Sequence, residues 1–459
     1  MNQEIVRLLE LKINNIKNVK NGEIDLINYS NIKNNFNLKI GDILGIYGQN
    51  GSGKTTVVDA MGILKNILIG EKLTLNELIT IGEENCTLAF KFYIEILQNK
   101  YIVDYKIELK KTEKEVTINN ESIKYSSLNE EKWTKNQTLI EIPYNLNGIK
   151  PKTKFAKILN NEKILIDLKV AEGISKKMNT SFLFSKDIKD IFEKVYSTDT
   201  DLILILETLK RYGMFDLFVV TNKEIGMINL NIFLPLRIKR TTGSGSIPIS
   251  IGKNEENIIV DETVYKDVQN TVEEINIVLK TIIPDMSLRL FEQKRELVGN
   301  NAVNIVAELV SVRGKDEIPL RNESDGIKRI VSILGALIGA YNQRNVCLVI
   351  DEIDSGVFEY LLGELLEIFS LDMSGQIIFT SHNLRILEKI KKESVVFTTT
   401  NPDNRYVRLK YVKPNNNLRD LYLREMIIQE QDEELYKETD SYEIRRSLYK
   451  AGVINAKKG

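Results

Sequence analysis

Gly48-Gln49-Asn50-Gly51-Ser52-Gly53-Lys54-Thr55, with Thr56 behind it, fits the pattern GxxxxGK[ST]. The residues before it, Asp42–Tyr47, are apolar at Ile43, Leu44 and Ile46, as in a strand. Those after it place Val57, Met61, Leu64 and Leu68 at i, i+4, i+7 and i+11, the stripe of a helix laid on a sheet. Strand, glycine loop and helix together are the context in which the motif has physical meaning. Gly48, Gly51 and Gly53 let the backbone curl until its N–H groups converge on phosphate oxygens. Asn50 and Ser52 complete the loop, and the following helix adds the positive end of its dipole. Lys54 brings a point charge to the β- and γ-phosphates, and Thr55 offers a hydroxyl to Mg²⁺. The stretch predicts a site for ATP and Mg²⁺.

Two distant segments fit such a site. Val346-Cys347-Leu348-Val349-Ile350-Asp351-Glu352 is an apolar strand ending in two acids. Asp351 is expected to hold Mg²⁺ through water, and Glu352 to accept a proton from the attacking water. Further on, Gln376–Thr380 forms another apolar strand and leads into Ser381-His382-Asn383. His382 is the only histidine of the chain, so any centre needing two histidines is excluded.

The segment Glu323-Ser324-Asp325-Gly326-Ile327-Lys328-Arg329 opens a helix whose apolar positions are Ile327, Ile330, Val331, Leu334, Leu337 and Ile338. Ser324 and Asp325 are good N-cap residues. A helix that starts on Ser and Gly is also an anion site.

Composition bounds the rest. The chain has 459 residues, 42% of them hydrophobic, enough for one large or two ordinary domains. Its 63 basic and 64 acidic residues nearly cancel, so no chain-wide attraction to nucleic acid is expected. Cys86 and Cys347 lie far apart without a CxxC neighbour, which argues against zinc and a disulfide framework. The N-terminus carries no basic and apolar leader, and no apolar run approaches a membrane span. The expected location is the cytoplasm.

Along the chain, residues 4–47 read as strands and 86–125 as an antiparallel set, with a turn expected at Asn99-Lys100. Residues 155–215 read as helical without a sustained heptad. Residues 216–310 read as strands with a helix near 261–282 and a flexible loop at Thr241–Ser246. Helices and apolar strands alternate from 324 to 400, which implies a parallel sheet. Short helices are expected near 417–431 and 441–451.

The order of phosphate loop, signature (the 323–329 segment), Walker B (the strand Val346–Glu352 with its two acids), D-loop and histidine switch resembles the ABC/SMC/RecF ATPases, with good cover over 1–70 and 320–400. The resemblance implies an α/β fold: an ABC-type ATPase head with a mixed N-terminal β lobe, a parallel-sheet P-loop core and a partly helical insertion. The implied divisions are 1–125 (first ATPase lobe), 126–260 (insertion), 261–413 (second lobe) and 414–459 (helical tail).

In that family Ser324 and Gly326 correspond to a variant LSGGQ signature. Asp325 stands where the family has a glycine, and Lys328 stands near the glutamine. Asp354-Ser355-Gly356 corresponds to the D-loop, and His382, 31 positions after Asp351, to the γ-phosphate switch. The signature reaches the nucleotide of a second copy, so a homodimer or higher homo-oligomer is implied. Asn15-Ile16-Lys17-Asn18 resembles an early element that touches nucleotide. Gln98 and Gln293 are the candidates for the Q-loop glutamine.

The compact chain also resembles the stand-alone AAA-type ATP-binding proteins of bacterial anti-phage systems such as PARIS, Septu and OLD. That implies an ATPase, slow if ATP serves mainly to hold the copies together, controlling a separate nuclease or toxin. The alternative is a RecF/SMC-like DNA-binding ATPase of repair, with Arg237, Lys239 and Arg240 on a phosphate-contacting surface. A third reading is a nuclease using Asp104, Glu108 and Lys110.

Overall fold

The computed structural model describes residues 4–456 apart from 27–40, 76–77, 97, 114, 131, 145–148, 196–199, 241–242, 252–257, 299–301, 411–416, 429–431 and 438–439. The first lobe is built from β1 (Ile5–Ile16), β2 (Val19–Asp25), β4 (Asn85–Ile96), β5 (Asn99–Lys111), β6 (Val116–Asn129), β7 (Lys132–Trp133) and β8 (Gln137–Pro143). They form an antiparallel sheet in the order β2-β1-β4-β5-β6-β7, with β8 on β6. Leu88, Phe90, Phe92 and Ile94 face the core because a strand alternates its side chains. β5 already begins at Asn99, opposite Ile96, so the expected turn lies earlier, around Gln98. Residue 125 falls inside β6.

The parallel core runs β19-β18-β3-β17-β16-β9, from β3 (Asp42–Tyr47), β9 (Leu217–Val220), β16 (Cys347–Ile350), β17 (Gln376–Thr380), β18 (Val395–Thr398) and β19 (Tyr406–Val407). Only β19 is antiparallel, to β18. Both faces of this sheet are covered, so its strands are apolar throughout. Cys347 and Val349 point into one hydrophobic cluster, and Leu348 and Ile350 into the other. On the first face lies α1 (Lys54–Ile69), packed on α5 (Thr200–Phe215). The helical region before α5 holds α2 (Ala156–Leu159), α3 (Glu162–Met178) and α4 (Lys186–Val195).

The second face carries α8 (Asp325–Asn342), α9 (Glu359–Asp372) and α10 (Leu418–Ile428). Beyond α8 lie the hairpin β10 (Phe233–Arg240) with β11 (Gly243–Ser250), and α7 (Glu262–Ile282). A four-stranded sheet of β12 (Ile258–Asp261), β13 (Ser287–Val298), β14 (Ala302–Arg313) and β15 (Asp316–Pro319) completes this side. α11 (Ser441–Ala456) closes the chain.

Three expectations need correction here. The loop expected at 241–246 is a hairpin, because Gly243–Ser246 pair with Arg237–Arg240 in register; Thr241-Thr242 lie outside the described residues. The strand region 216–310 contains a further helix, α6 (Asn222–Asn229), started by a capping box of Thr221 and Glu224. Arg237 is 8% exposed. Its guanidinium lies against Gly339, bonds Gln343 Oε1 at 2.7 Å and sits 5.1 Å from the Phe218 ring. It joins hairpin to helix and is not a nucleic-acid contact.

The two lobes are locked by polar groups. The Gln376 amide pairs both ways with Leu8, donating to its carbonyl and accepting from its N–H at 2.8 Å each. Buried Arg7 and Asp42 form an ion pair at 3.1 Å beside it. Such pairs fix register where apolar packing alone would allow sliding.

Candidate functional site

A pocket of about 330 Å³ opens at the C-terminal edge of the parallel strands. It is lined by Asn50, Gly51, Gly53, Lys54, Thr55 and Thr56 of the loop, by Asp351 and Glu352 after β16, by Thr380 and His382 after β17, and by Lys17 and Asn18. Segments separated by some 300 residues meet there because β17 lies between β3 and β16.

The loop geometry follows from its glycines. Gly48, Gly51 and Gly53 have φ of 153°, 75° and 97°. At Gly48 a Cβ would also lie 1.7 Å from Thr398 Oγ1. Lys54 folds back on the loop, donating to Gly48 O at 2.8 Å and Gln49 O at 3.1 Å. Burial lowers its pKa, and the charges of Asp351, Glu352 and Asp354 oppose that. Among the described residues its hydrogen bonds go to these two carbonyls, which leaves a buried ammonium without a counter-anion in contact.

Asp351 is 1% exposed. Its Oδ1 accepts from Thr380 Oγ1 at 2.6 Å and lies 3.5 Å from Thr55 Oγ1. Its Oδ2 is buried and has no hydrogen-bond partner among the described residues. Burial raises its pKa; the Thr380 bond lowers it, and the nearby Glu352 charge raises it again. A hydroxyl and an unsatisfied carboxylate oxygen side by side are the donor set that Mg²⁺ takes, with water filling the remaining positions. The residues present therefore fit that ion.

Glu352 sits at φ 46°, a left-handed conformation rare outside glycine. Its N–H donates to Thr380 Oγ1 at 2.8 Å, and Arg329 Nη2 donates to the Asp351 carbonyl at 3.1 Å. These two bonds hold the strained turn from either side. Arg329 is 2% exposed, and burial pushes its pKa down to about 10. His382 is exposed at the pocket rim, and its main-chain N–H donates to Asp354 Oδ2 at 3.2 Å. Partial burial and then the charge of Lys54 lower its pKa, so the imidazole is neutral at pH 7.

The segment expected to be the signature lies elsewhere. Ser324 caps α8, accepting from Ile327 N at 3.3 Å. Gly326 packs on the D-loop of its own chain, where a Cβ would meet Gly356 O at 2.3 Å. Neither Ser324 nor Gly326 lines the pocket, and neither do Gln98 and Gln293. Gln293 bonds Glu308 on the outer sheet at 3.2 Å. Of the nuclease candidates, Asp104 pairs with Lys91 at 3.8 Å and Asn136 at 2.8 Å, and Glu108 with Lys106 at 2.6 Å. They are ion pairs on a strand.

Sequence reading assigned no role to Thr380, Arg329, Thr398, Arg405 or Tyr406. Ser52 Oγ meets Thr398 Oγ1 at 2.5 Å, and Tyr406 Oη donates to Gly53 O at 2.8 Å. Arg405 donates to Asn18 O at 2.6 Å, and Asn18 in turn bonds Gly51 O. The β18–β19 hairpin thus buttresses the loop from beneath. Only Thr380 carried a local signal, being the polar end of an apolar strand.

Loop, strand order and pocket have the form of a P-loop site, and the motif order is similar to that of ABC/SMC-like ATPases. A family model described as "AAA domain, putative AbiEii toxin, Type IV TA system" matches residues 233–388, which carry the signature, Walker B and histidine segments. No curated protein matches the chain. Similar solved structures include an Smc head bound to the C-winged helix domain of ScpA, at 13% identity and a TM-score of 0.45, covering 88% of this chain and 98% of the other. The SMC head domain from Thermotoga maritima is 14% identical, with a TM-score of 0.37 and coverage of 88% and 99%. An Smc head with coiled coil and joint from Pyrococcus yayanosii is 12% identical, with a TM-score of 0.41 and coverage of 92% and 99%.

Proposed function

We propose that the chain binds and hydrolyses ATP at a site completed by a second copy. The observation that carries this is the buried, unpartnered Asp351 Oδ2 beside Thr55, in the same pocket as Lys54, Glu352 and His382. A structural carboxylate would have its oxygens satisfied. Lys54 and the loop N–H groups would bind the β- and γ-phosphates. Thr55 and Asp351 would hold Mg²⁺, which supplies charge neutralisation between those phosphates when bound. Glu352, fixed by Thr380 and Arg329, takes a proton from the attacking water. His382, its main-chain N–H anchored on Asp354, faces the γ-phosphate.

Ser324 and Gly326 belong to the opposite copy's site in this reading, because they lie outside the pocket of their own chain. Two copies then close head to tail on two nucleotides. The matched family's description names a putative AbiEii toxin and a Type IV TA system. Together with the motif resemblance, this supports a cytoplasmic, ATP-gated scaffold in anti-phage defence that controls a separate nuclease or toxin. The ATPase divisions 1–125 and 261–413, with the insertion 126–260 and tail 414–459, belong to the same proposal. Among the described residues no helix is long and apolar enough to cross a membrane.

Complementation tests the composite site. Lys54→Ala and Ser324→Arg are each expected to abolish turnover. Mixed together, they rebuild one site that pairs Lys54 of one copy with Ser324 of the other. Steady-state phosphate release should therefore recover in the mixture. Inactivity of the mixture, or full activity of Ser324→Arg alone, would refute the head-to-tail reading.

A further inference from the structure

The C-terminal segment is tied to the phosphate loop. The Gln49 side chain pairs with the backbone of Lys437, donating to its carbonyl at 3.3 Å and accepting from its N–H at 3.2 Å. Just upstream, Thr400 N–H donates to Glu434 O at 2.8 Å, its hydroxyl to the Glu434 carboxylate at 2.8 Å, and Leu435 is buried. α11 starts at Ser441, capped by Asp440 Oδ1. Four residues reach at most about 14 Å, so this helix begins beside the nucleotide pocket.

Yet α11 buries none of its side chains from Ser441 to Gly452 against the described residues of its own chain. Every residue from Ser441 to Gly452 is exposed. Tyr442, Leu448 and Tyr449 are 70%, 71% and 75% exposed. Tyr442 and Tyr449 are two turns apart on one stripe, with Leu448 adjacent to it. Arg445, Arg446 and Lys450 make the helix basic, against a single acid, Glu443.

A matching surface stands beyond the D-loop. Phe358 and Tyr360 are 69% and 51% exposed and stack on each other at 5.6 Å. They open α9, whose sequence carries four acids and no base. Tyr360 and the exposed Glu364 share a face, one turn apart. One basic helix with an exposed aromatic stripe borders the phosphate loop. One acidic helix with an exposed aromatic pair borders the signature. Head-to-tail closure brings the first of these edges to the second edge of another copy.

We infer that α11 docks on α9 of a second copy, with Tyr442, Leu448 and Tyr449 meeting Phe358 and Tyr360, and Arg445 meeting Glu364. The tail is then a strap across each nucleotide site, anchored to the phosphate loop through Gln49. This rests on the head-to-tail reading, and it adds a contact which that reading does not require.

Cross-linking separates the two. One copy carries Tyr449→Cys and the other Tyr360→Cys, both with Glu352→Gln to hold ATP. The native Cys86 and Cys347 are buried and do not compete. A short bis-maleimide should join the mixed copies only with ATP and Mg²⁺. A Glu352→Gln dimer that forms normally but does not cross-link overturns the strap and leaves head-to-tail closure standing. Cross-linking within a single doubly substituted chain, diluted below dimerisation, also overturns it. The absence of any ATP-dependent dimer overturns both. As a second measure, Arg445→Glu with Arg446→Glu, which reverses two charges facing the acidic α9, should weaken ATP-dependent dimerisation by about tenfold or more. Glu359→Lys with Glu364→Lys should restore it. These side chains are exposed, so the fold is not at risk. Unchanged dimerisation in the Arg445→Glu, Arg446→Glu variant counts against the strap.

Discussion

The antiparallel lobe and the parallel core each bury a carboxylate, and the two are treated in opposite ways. Glu121 on β6 is fully buried and accepts from Tyr105 Oη at 2.7 Å, Ser181 Oγ at 2.6 Å, Phe182 N at 2.9 Å and the hydroxyl of Tyr144. It ties β5 and β6 to the start of the helical region. Asp351 on the core is almost as deeply buried, but one of its oxygens meets no donor. A carboxylate kept for structure is surrounded until its lone pairs are used. Asp351 is left short, and the folded chain carries that cost; in the proposed function the free oxygen is the one Mg²⁺ would meet.

The contrast can be broken or sharpened by substitution. The largest effect is expected at Glu352→Gln, where phosphate release should slow by about 10²–10⁴-fold with ATP affinity retained. Normal turnover would remove the base from the mechanism. Next, Glu121→Leu strands several buried donors. It should destabilise folding by about 3 kcal/mol in urea melts. Loss of ATP affinity in Glu121→Leu at matched stability would blur the distinction between the two carboxylates.

Asp351→Asn should leave stability within about 1 kcal/mol, since the unpartnered oxygen makes no bond to lose. It should nonetheless abolish the dependence of ATP binding on Mg²⁺, read by titration with and without the ion. A large stability loss would mean that Asp351 is a structural group after all.

The smallest effect concerns Glu172 on α3, a third case: a buried carboxyl, 4% exposed, whose pKa burial pushes up to about 7 from 4.5. The folded state therefore holds its proton over a range where the unfolded chain has lost it. Stability from this group is complete below about pH 4.5 and declines as pH rises toward 7. Glu172→Gln should flatten that decline in melts between pH 5 and 7.5. An unchanged slope would show that the carboxylate is solvated.

Much of the site was legible because its parts are local. Eight consecutive residues define the phosphate loop, and an apolar strand ending in Asp351-Glu352 is recognisable alone. Arg237 was not legible: in a short basic run with Lys239 and Arg240 it suggests an exposed, phosphate-contacting surface, and only the packing of β10 on Gly339 buries it. Gly326 was legible as half of a signature. That its missing side chain admits Gly356 of the same chain is visible only after folding. Thr380 acts through two bonds to a segment 28 residues away, which no local pattern encodes.

The sequence by itself determined most of the elements and the candidate chemistry: which long stretches are strands or helices, through apolar period, and which side chains could meet a triphosphate, through glycine freedom and charge. The tertiary structure alone decided which residues share a pocket, which carboxylate stays unsatisfied and which helix stays bare. Those depend on strand order and on the non-local partners that satisfy or deny each buried polar group, and strand order is set by packing across hundreds of residues.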